Sequence, residues 1–285
     1  MSATELVVLI AATAAAGAWI ASLVSGDTSW IDRLWSILPE SYVWVYAASA
    51  HWRDARLDVL AALTTLWGIR LTYNLARKGG YTGAEDYRWA VLRSSMNAWQ
   101  FQLFNLFFVV IYQSVLLVLI ALPARTAAEH PAAFGVLDAA LCILFLTALV
   151  GETIADQQQW NFQRWKHREI AAGRSPEPRF VQTGLFRYSR HPNYFFEIAQ
   201  WWLVFLVGAS AAGSLAQPTV LGAVLLTALF VGSTSFTERI SRSRYPEYAR
   251  YQATTSAIVP WFARSRDVVV PVPDDSAGQA GAALS

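Results

Sequence analysis

Charge is what this sequence of 285 residues has least of: Asp, Glu, Lys and Arg together make up 15% of it, against about a quarter in an ordinary soluble domain. The shortage is uneven. Long stretches carry almost no charge, and the charged residues gather between them, which is the pattern of a chain solvated mostly by lipid. The net charge of +2 is too small to point to nucleic acid. Cysteine is nearly absent too. Cys142 stands alone in an apolar run, so an intramolecular disulfide and a cysteine metal cluster are excluded. His51, His130 and His167 are scattered, with no metal-ligand spacing, and no metal is expected. A P-loop, a GxGxxG turn and a Ser/His/Asp arrangement are all missing. The N-terminus has no basic stretch before its apolar run, and Glu5 is its only early charge. Residues 6–24 therefore read as a retained first helix and not as a signal peptide.

What is present is apolar and aromatic: 55% hydrophobic residues, with 13 Trp and 11 Tyr, the two side chains that favour a membrane interface. A spanning helix needs about 20 mostly apolar residues. Such runs lie at 6–24, 57–75, 101–122, 132–154, 195–212 and 219–236, and a shorter one at 41–52. The pattern predicts an all-α polytopic bundle of about seven spans in one domain, residues 1–266. The basic segments 77–93, 164–190 and 239–266 then fall on the cytoplasmic side, with the N-terminus outside and the C-terminus inside. Arg53 and Arg56 fall on the wrong side, partly offset by Asp54 and Asp58. Residues 267–285 lose all apolar periodicity and are expected to be disordered.

Three polar clusters follow. Glu152, Asp156, Gln159, Gln163 and Lys166 close the fifth span. Asp156, Gln159 and Gln163 share one helix face, and acids at that depth are costly unless paired or facing a polar cavity. The second cluster runs from Gly184 to Glu197. Arg187 and Arg190 are fork-shaped donors suited to phosphate, and His191 adds a third. Pro192 stands where the next helix begins, and a helix start favours anions. The alternative is a basic segment binding lipid headgroups. The third cluster, Glu238 to Tyr251, supplies Glu238, Arg242 and Tyr245, which can reach back toward the second; the alternative is an amphipathic helix lying on anionic lipid. In the N-terminal half, Arg70 lies inside a span. It is either functional or a structural partner of Glu152 or Asp156.

The run Gly184-Leu185-Phe186-Arg187-Tyr188-Ser189-Arg190-His191-Pro192-Asn193-Tyr194, then Glu197, then Glu238 to Pro260, resembles the C-terminal domain of steroid 5-alpha-reductase-like membrane proteins. It is most similar to their bacterial branch, the DUF1295 group. The Asp156 helix and the stretch Trp67–Arg70, Arg77 and Glu85–Trp89 also match that branch, so the resemblance runs from about residue 32 to 262. It implies NADPH-dependent reduction of an activated carbon–carbon double bond in a lipophilic, steroid-like or isoprenoid substrate that enters from the bilayer. The cofactor-binding half would be residues 152–262. Carried over by position, Asp156, Gln159, Lys166, Arg187, Arg190, His191, Asn193, Tyr194, Glu197, Glu238, Arg242 and Tyr245 would line the cofactor site, with Arg187, Arg190 and Arg242 at the phosphates. Tyr194, Tyr245 and Glu197 are the candidates for catalysis. The residues that grip the steroid carbonyl in the eukaryotic enzymes do not align here, so the substrate stays open.

Two other readings stand beside this one. Isoprenylcysteine methyltransferases also carry Arg-His-Pro-x-Tyr and a later Glu…Tyr…Tyr…Pro, and they bind S-adenosylmethionine. Asn193, Glu197 and the Asp156 helix favour the reductase. A membrane scaffold or lipid-binding protein is the third reading, and the buried acids argue against it. The expected location is a bacterial inner membrane.

Overall fold

The computed structural model describes residues 1–262; the expected disordered tail lies outside them. Every element among the described residues is helical, apart from one isolated bridge between Ser189 and Ser256. The described residues form two compact units, one of residues 1–156 and 193–231, the other of residues 157–192 and 232–262.

The first unit begins with α1 (Ala3–Ser25). Ser2 and Glu5 start it with a reciprocal capping box, and Gly26, with φ of 69°, ends it in the left-handed region that glycine enters freely. Then come α2 (Trp30–Trp35), α3 (Leu38–Ser49) and α4 (Ala55–Arg77), followed by α5 (Tyr87–Ser94) and α6 (Ala98–Phe104). A π-helical stretch, Asn105–Tyr112, joins α6 to α7 (Gln113–Glu129). The long α8 (Val136–Ala171), α9 (Pro192–Ala211) and α10 (Val220–Arg244) complete the principal helices. Helix α3 packs against α1, α4 and α7, and its Tyr42, Val43, Tyr46 and Ala47 are wholly enclosed in the main core.

Five segments are long and apolar enough to cross a membrane: Ala3–Ser25, Ala98–Glu129, Val136–Ala171, Pro192–Ala211 and Val220–Arg244. Their outward faces carry large apolar side chains, among them Leu9 and Ile20, Ile143 and Leu144, and Val224 and Val231. Lipid solvates such faces and water does not. The chain is an integral membrane protein. The expected seven spans meet two exceptions. Helix α3 has 12 residues and rises about 18 Å, short of a hydrocarbon core of about 30 Å. Helix α4 is long enough at 23 residues, but its charged residues dilute its apolar character.

One boundary also differs from the expected span. The apolar run 101–122 stops at Pro123, whereas the helix continues through it and Pro123 sits inside α7. Neighbouring backbones come close there. A methyl on Gly208 would stand 2.6 Å from the Pro123 carbonyl oxygen, and one on Gly222 would stand 2.8 Å from the Ile120 nitrogen and closer still to the Leu119 carbonyl. Arg56 has a partner 82 residues away: its guanidinium holds the Asp138 carboxylate through two hydrogen bonds of 2.8 Å, and both side chains are buried.

Candidate functional site

Helix α4 starts at Asp54, whose side chain accepts from the backbone N–H groups of Arg56 and Leu57. It carries Trp67 and Arg70 on one face, three residues apart. Helix α8 brings Glu152 and Asp156, one turn apart, and α9 brings Glu197, Gln200 and Trp201. These side chains converge inside the first unit. Arg70 meets Glu152 at 2.9 Å, Asp156 at 2.7 Å and Glu197 at 3.1 Å. Its side chain is 9% exposed and each of the three carboxylates 5%. Two indoles fix Glu197 from either side, Trp67 Nε1 at 2.9 Å and Trp201 Nε1 at 3.0 Å. Those two rings meet edge to face at 4.9 Å. Gln200 donates to Glu152 at 2.7 Å. The Nε of Arg70 and the Oε1 of Gln200 are buried without a hydrogen-bond partner among the described residues.

The loops of the same unit add further polar groups. Arg33 ties Asp27 at 2.5 Å to the Gly80 carbonyl at 2.6 Å. Trp89 donates to Asp32 at 3.1 Å; burial, with help from nearby Asp86, pushes the Asp32 carboxyl above the usual range. Arg88 pairs with Asp86 at 2.8 Å and lies within electrostatic reach of Tyr194. The Tyr194 ring packs on Phe230 at 4.7 Å. Gly68 leaves room for the Glu40 side chain: a methyl there would stand 2.9 Å from the Glu40 carboxyl carbon. One Glu40 oxygen is buried with no hydrogen-bond donor among the described residues.

The second unit is built around Arg190. Its Nε and Nη2 hold Glu238 at 2.6 and 2.9 Å, and its Nη1 donates to the carbonyls of Gln252, at 2.9 Å, and Thr255. Glu238 also accepts from Gln252 at 2.8 Å and lies 3.2 Å from His191 Nε2. The backbone supports this arrangement. Arg190 N donates to Ser256, His191 N to Ala257, and the Ser189 hydroxyl to Ile258 at 2.7 Å. Segment 188–191 is thereby laced to segment 255–261. Beneath it, Phe180 packs against Tyr245, Tyr248 and Tyr251, and the Tyr251 hydroxyl donates to the Phe186 carbonyl. Lys166 donates to the Tyr245 oxygen at 2.8 Å and to the Arg179 carbonyl at 2.7 Å.

The structure therefore distributes the expected site residues unevenly. Asp156 and Glu197 meet in the first unit, where Asn193 and Tyr194 open α9 in half-buried positions. Arg190, His191 and Glu238 meet in the second, as do Lys166 and Tyr245. Arg187 and Arg242 are exposed and make no ion pair with another described residue, while the Arg190 fork is already occupied. Gln159 is half-buried, and its neighbour Gln158 makes the contact to Leu185 N at 2.9 Å. Arg70 takes both suggested partners, Glu152 and Asp156, and Glu197 as well. Sequence reasoning did not count Trp67, which it named only within a stretch carrying the resemblance, Gln200, Trp201 or Glu40 among the site residues. For the first three a signal existed: each lies three or four residues from Arg70 or Glu197, on the same helix face.

No metal cluster is found among the described residues: no three His, Cys, Asp or Glu side chains are placed to hold an ion. Comparison with known proteins gives no matching solved structure. The Schizosaccharomyces pombe protein described as "Uncharacterized protein C594.04c" is 39% identical over 262 residues, covering 85% of this chain and 75% of its own length. The family described as "Protein of unknown function (DUF1295)" matches residues 18–255. That match spans all the principal helices from the end of α1 to α10 and the short α11 (Tyr248–Thr254) beyond it, and with them the Arg70 cluster and Arg190 with Glu238: this chain belongs to the DUF1295 family.

Proposed function

We propose that this protein is a membrane reductase that uses NADPH to saturate an activated carbon–carbon double bond in a lipophilic substrate, in a bacterial inner membrane. The observation that carries the reading is the Arg70 cluster. Three carboxylates share one guanidinium among apolar helices, where an uncompensated charge is costly. The set is balanced as a whole only with shared protons. Each reduction consumes a proton along with a hydride, and a buried acidic set with an indole-fixed geometry suits that demand. Methyl transfer makes no such demand.

The residues of the second unit fit the phosphate end of a dinucleotide. Arg187 and Arg242 offer unpaired guanidinium forks. Arg190 acts at one remove: it holds Glu238 and the 252–255 carbonyls and so positions Arg242, one turn beyond Glu238 on α10. When bound, NADPH would supply the hydride. Tyr245 accepts from Lys166, which leaves its own O–H free to donate to a developing enolate. Tyr194, beside Arg88, is the corresponding donor in the first unit. Glu197 already receives three donors and serves to hold Trp67, Trp201 and Arg70 in place.

We also propose seven crossings, in two steps. Helix α4 keeps Trp67 and Arg70 inward while Leu66, Ile69 and Tyr73 face out, so it can span with Arg56 and Arg70 ion-paired. Helix α3, entered from the turn after Trp35, makes one short crossing. Both termini then lie as the charge distribution suggests, N-terminus outside and C-terminus inside.

The test is cofactor binding by the purified protein in detergent. Saturable NADPH binding that weakens about tenfold in Arg242→Ala, the loss of about 1.4 kcal/mol, is the expected result. Binding of S-adenosylmethionine with none of NADPH would overturn the reading in favour of a methyltransferase, and binding of neither would favour a scaffold.

A further inference from the structure

The end of the first unit where α4 begins carries features that the reductase reading does not use. A crevice of about 370 Å³ opens there, lined by Arg53, Asp54, Pro131, Ala133 and Phe134. That volume falls within the range of small-ligand sites. Its far wall is the connection between α7 and α8, two segments able to cross a membrane, so the crevice lies at a membrane surface. Arg53 is exposed and makes no ion pair with another described residue. Asp54 is only 7% exposed; its Oδ1 caps α4, and its Oδ2 is buried with no hydrogen-bond donor among the described residues. Beneath the rim, the buried Arg56 is held by Asp138 and the Ala133 carbonyl.

Two further observations point to a ligand. His51 and Trp52, directly before Arg53, have φ of 55° and 58°. Bulky residues rarely occupy that left-handed region, and such strain gathers at binding sites. Trp52 is 55% exposed and packs against Trp44 at 5.7 Å, an indole pair of the kind that settles at headgroup depth.

We propose that this crevice binds the headgroup of a zwitterionic aminophospholipid. The Arg53 guanidinium takes the phosphate as a fork donor. The Asp54 carboxylate, lacking a donor on Oδ2, takes the ammonium. The Trp44–Trp52 pair borders the glycerol and upper acyl region. An exposed cation beside an acid whose Oδ2 lacks a hydrogen-bond donor selects a head carrying both charges over one carrying phosphate alone. This site is independent of the Arg70 cluster, which lies toward the other end of α4.

The experiment uses the full chain, delipidated in detergent and then offered equimolar phosphatidylethanolamine and phosphatidylglycerol in mixed micelles, with bound lipid read by native mass spectrometry. The wild type should retain phosphatidylethanolamine about tenfold over phosphatidylglycerol, the effect of one good charged contact. Asp54→Asn keeps the capping oxygen and removes the charge; it should bring that ratio to about one. Arg53→Ala should lower retention of both lipids about tenfold. Equal retention by the wild type, or ratios unmoved in both variants, overturns the proposal. So does full displacement by soluble phosphoethanolamine, which would make the ligand a free metabolite. Should Asp54→Asn fail to fold, the wild-type ratio and Arg53→Ala decide between these outcomes.

Discussion

Arg70 carries an unusual load for one side chain, since Glu152, Asp156 and Glu197 all depend on it. Removing one partner of a buried ion pair leaves charge without compensation and costs about 3–5 kcal/mol. Arg70→Ala should therefore lower the unfolding temperature of the detergent-purified protein strongly, and adding Glu197→Gln should recover part of the loss. An unchanged unfolding temperature would mean that the cluster is not ion-paired. Asp32 offers a second test at this scale. Burial raises its carboxyl above the ordinary value, so the fold favours the protonated form. Its contribution is full below the unfolded value of about 4 and declines as pH rises through the higher folded value. Asp32→Asn escapes that decline. The stability of the variant relative to wild type should increase from about pH 4 upward and then level off, as melting curves across pH would record. The pairing of Arg70 with an acid of α8 was legible from the cost of charge in lipid. The part played by Glu197 was not, because it belongs to a helix 127 residues away in sequence and only packing brings it in.

At the scale of elements, glycines set how closely helices approach. Gly222 stands against the α7 backbone, whereas Gly17 on α1 has open space where a side chain would begin. Gly222→Ala should destabilise by about 1–3 kcal/mol through overpacking. Gly17→Ala should be neutral or stabilising by about 0.5–1 kcal/mol, because alanine suits a helix interior better. Thermal unfolding of the two variants side by side checks both signs, and equal losses would refute the distinction. The apolar helices were readable from run length, and Pro192 at the start of α9 from proline chemistry. The π-helical stretch at 105–112 was not, since an added residue in a helix leaves the apolar pattern of Asn105–Tyr112 looking like any other span. The continuation of α7 through Pro123 was equally hidden, because the accommodation comes from α9 and α10.

For the whole molecule, the proposed seven crossings would put residues 80–85 on the side opposite residues 131–134. Cys142 is the sole thiol, so Cys142→Ser gives a clean background for single cysteines at Thr82 and at Ala132. A membrane-impermeant maleimide added to intact cells should label Ala132→Cys and spare Thr82→Cys until the membrane is opened. Labelling of both from the same side would remove one crossing and reverse the inferred orientation of the C-terminus. Membrane class and helix content were evident in composition. The division of the polar residues between two units was not, because each cluster is completed by a residue distant in sequence, Arg70 in one and Glu238 in the other.

Pro123 and Gly222 have a consequence for how the chain is made. Proline supplies no N–H to the Leu119 carbonyl four residues earlier, and in lipid a bare carbonyl has no water to turn to. A methyl on Gly222 would collide with that same carbonyl, and the bare glycine leaves room for a C–H···O contact of the kind worth about 0.5–1 kcal/mol. Helix α7 leaves the ribosome almost a hundred residues before α10 does. During that interval its Leu119 carbonyl waits for a partner that has not yet been synthesised. The bundle therefore contains an ordering rule: α7 settles fully only when α10 arrives, and a chain truncated before Val220 should hold α7 loosely in the membrane.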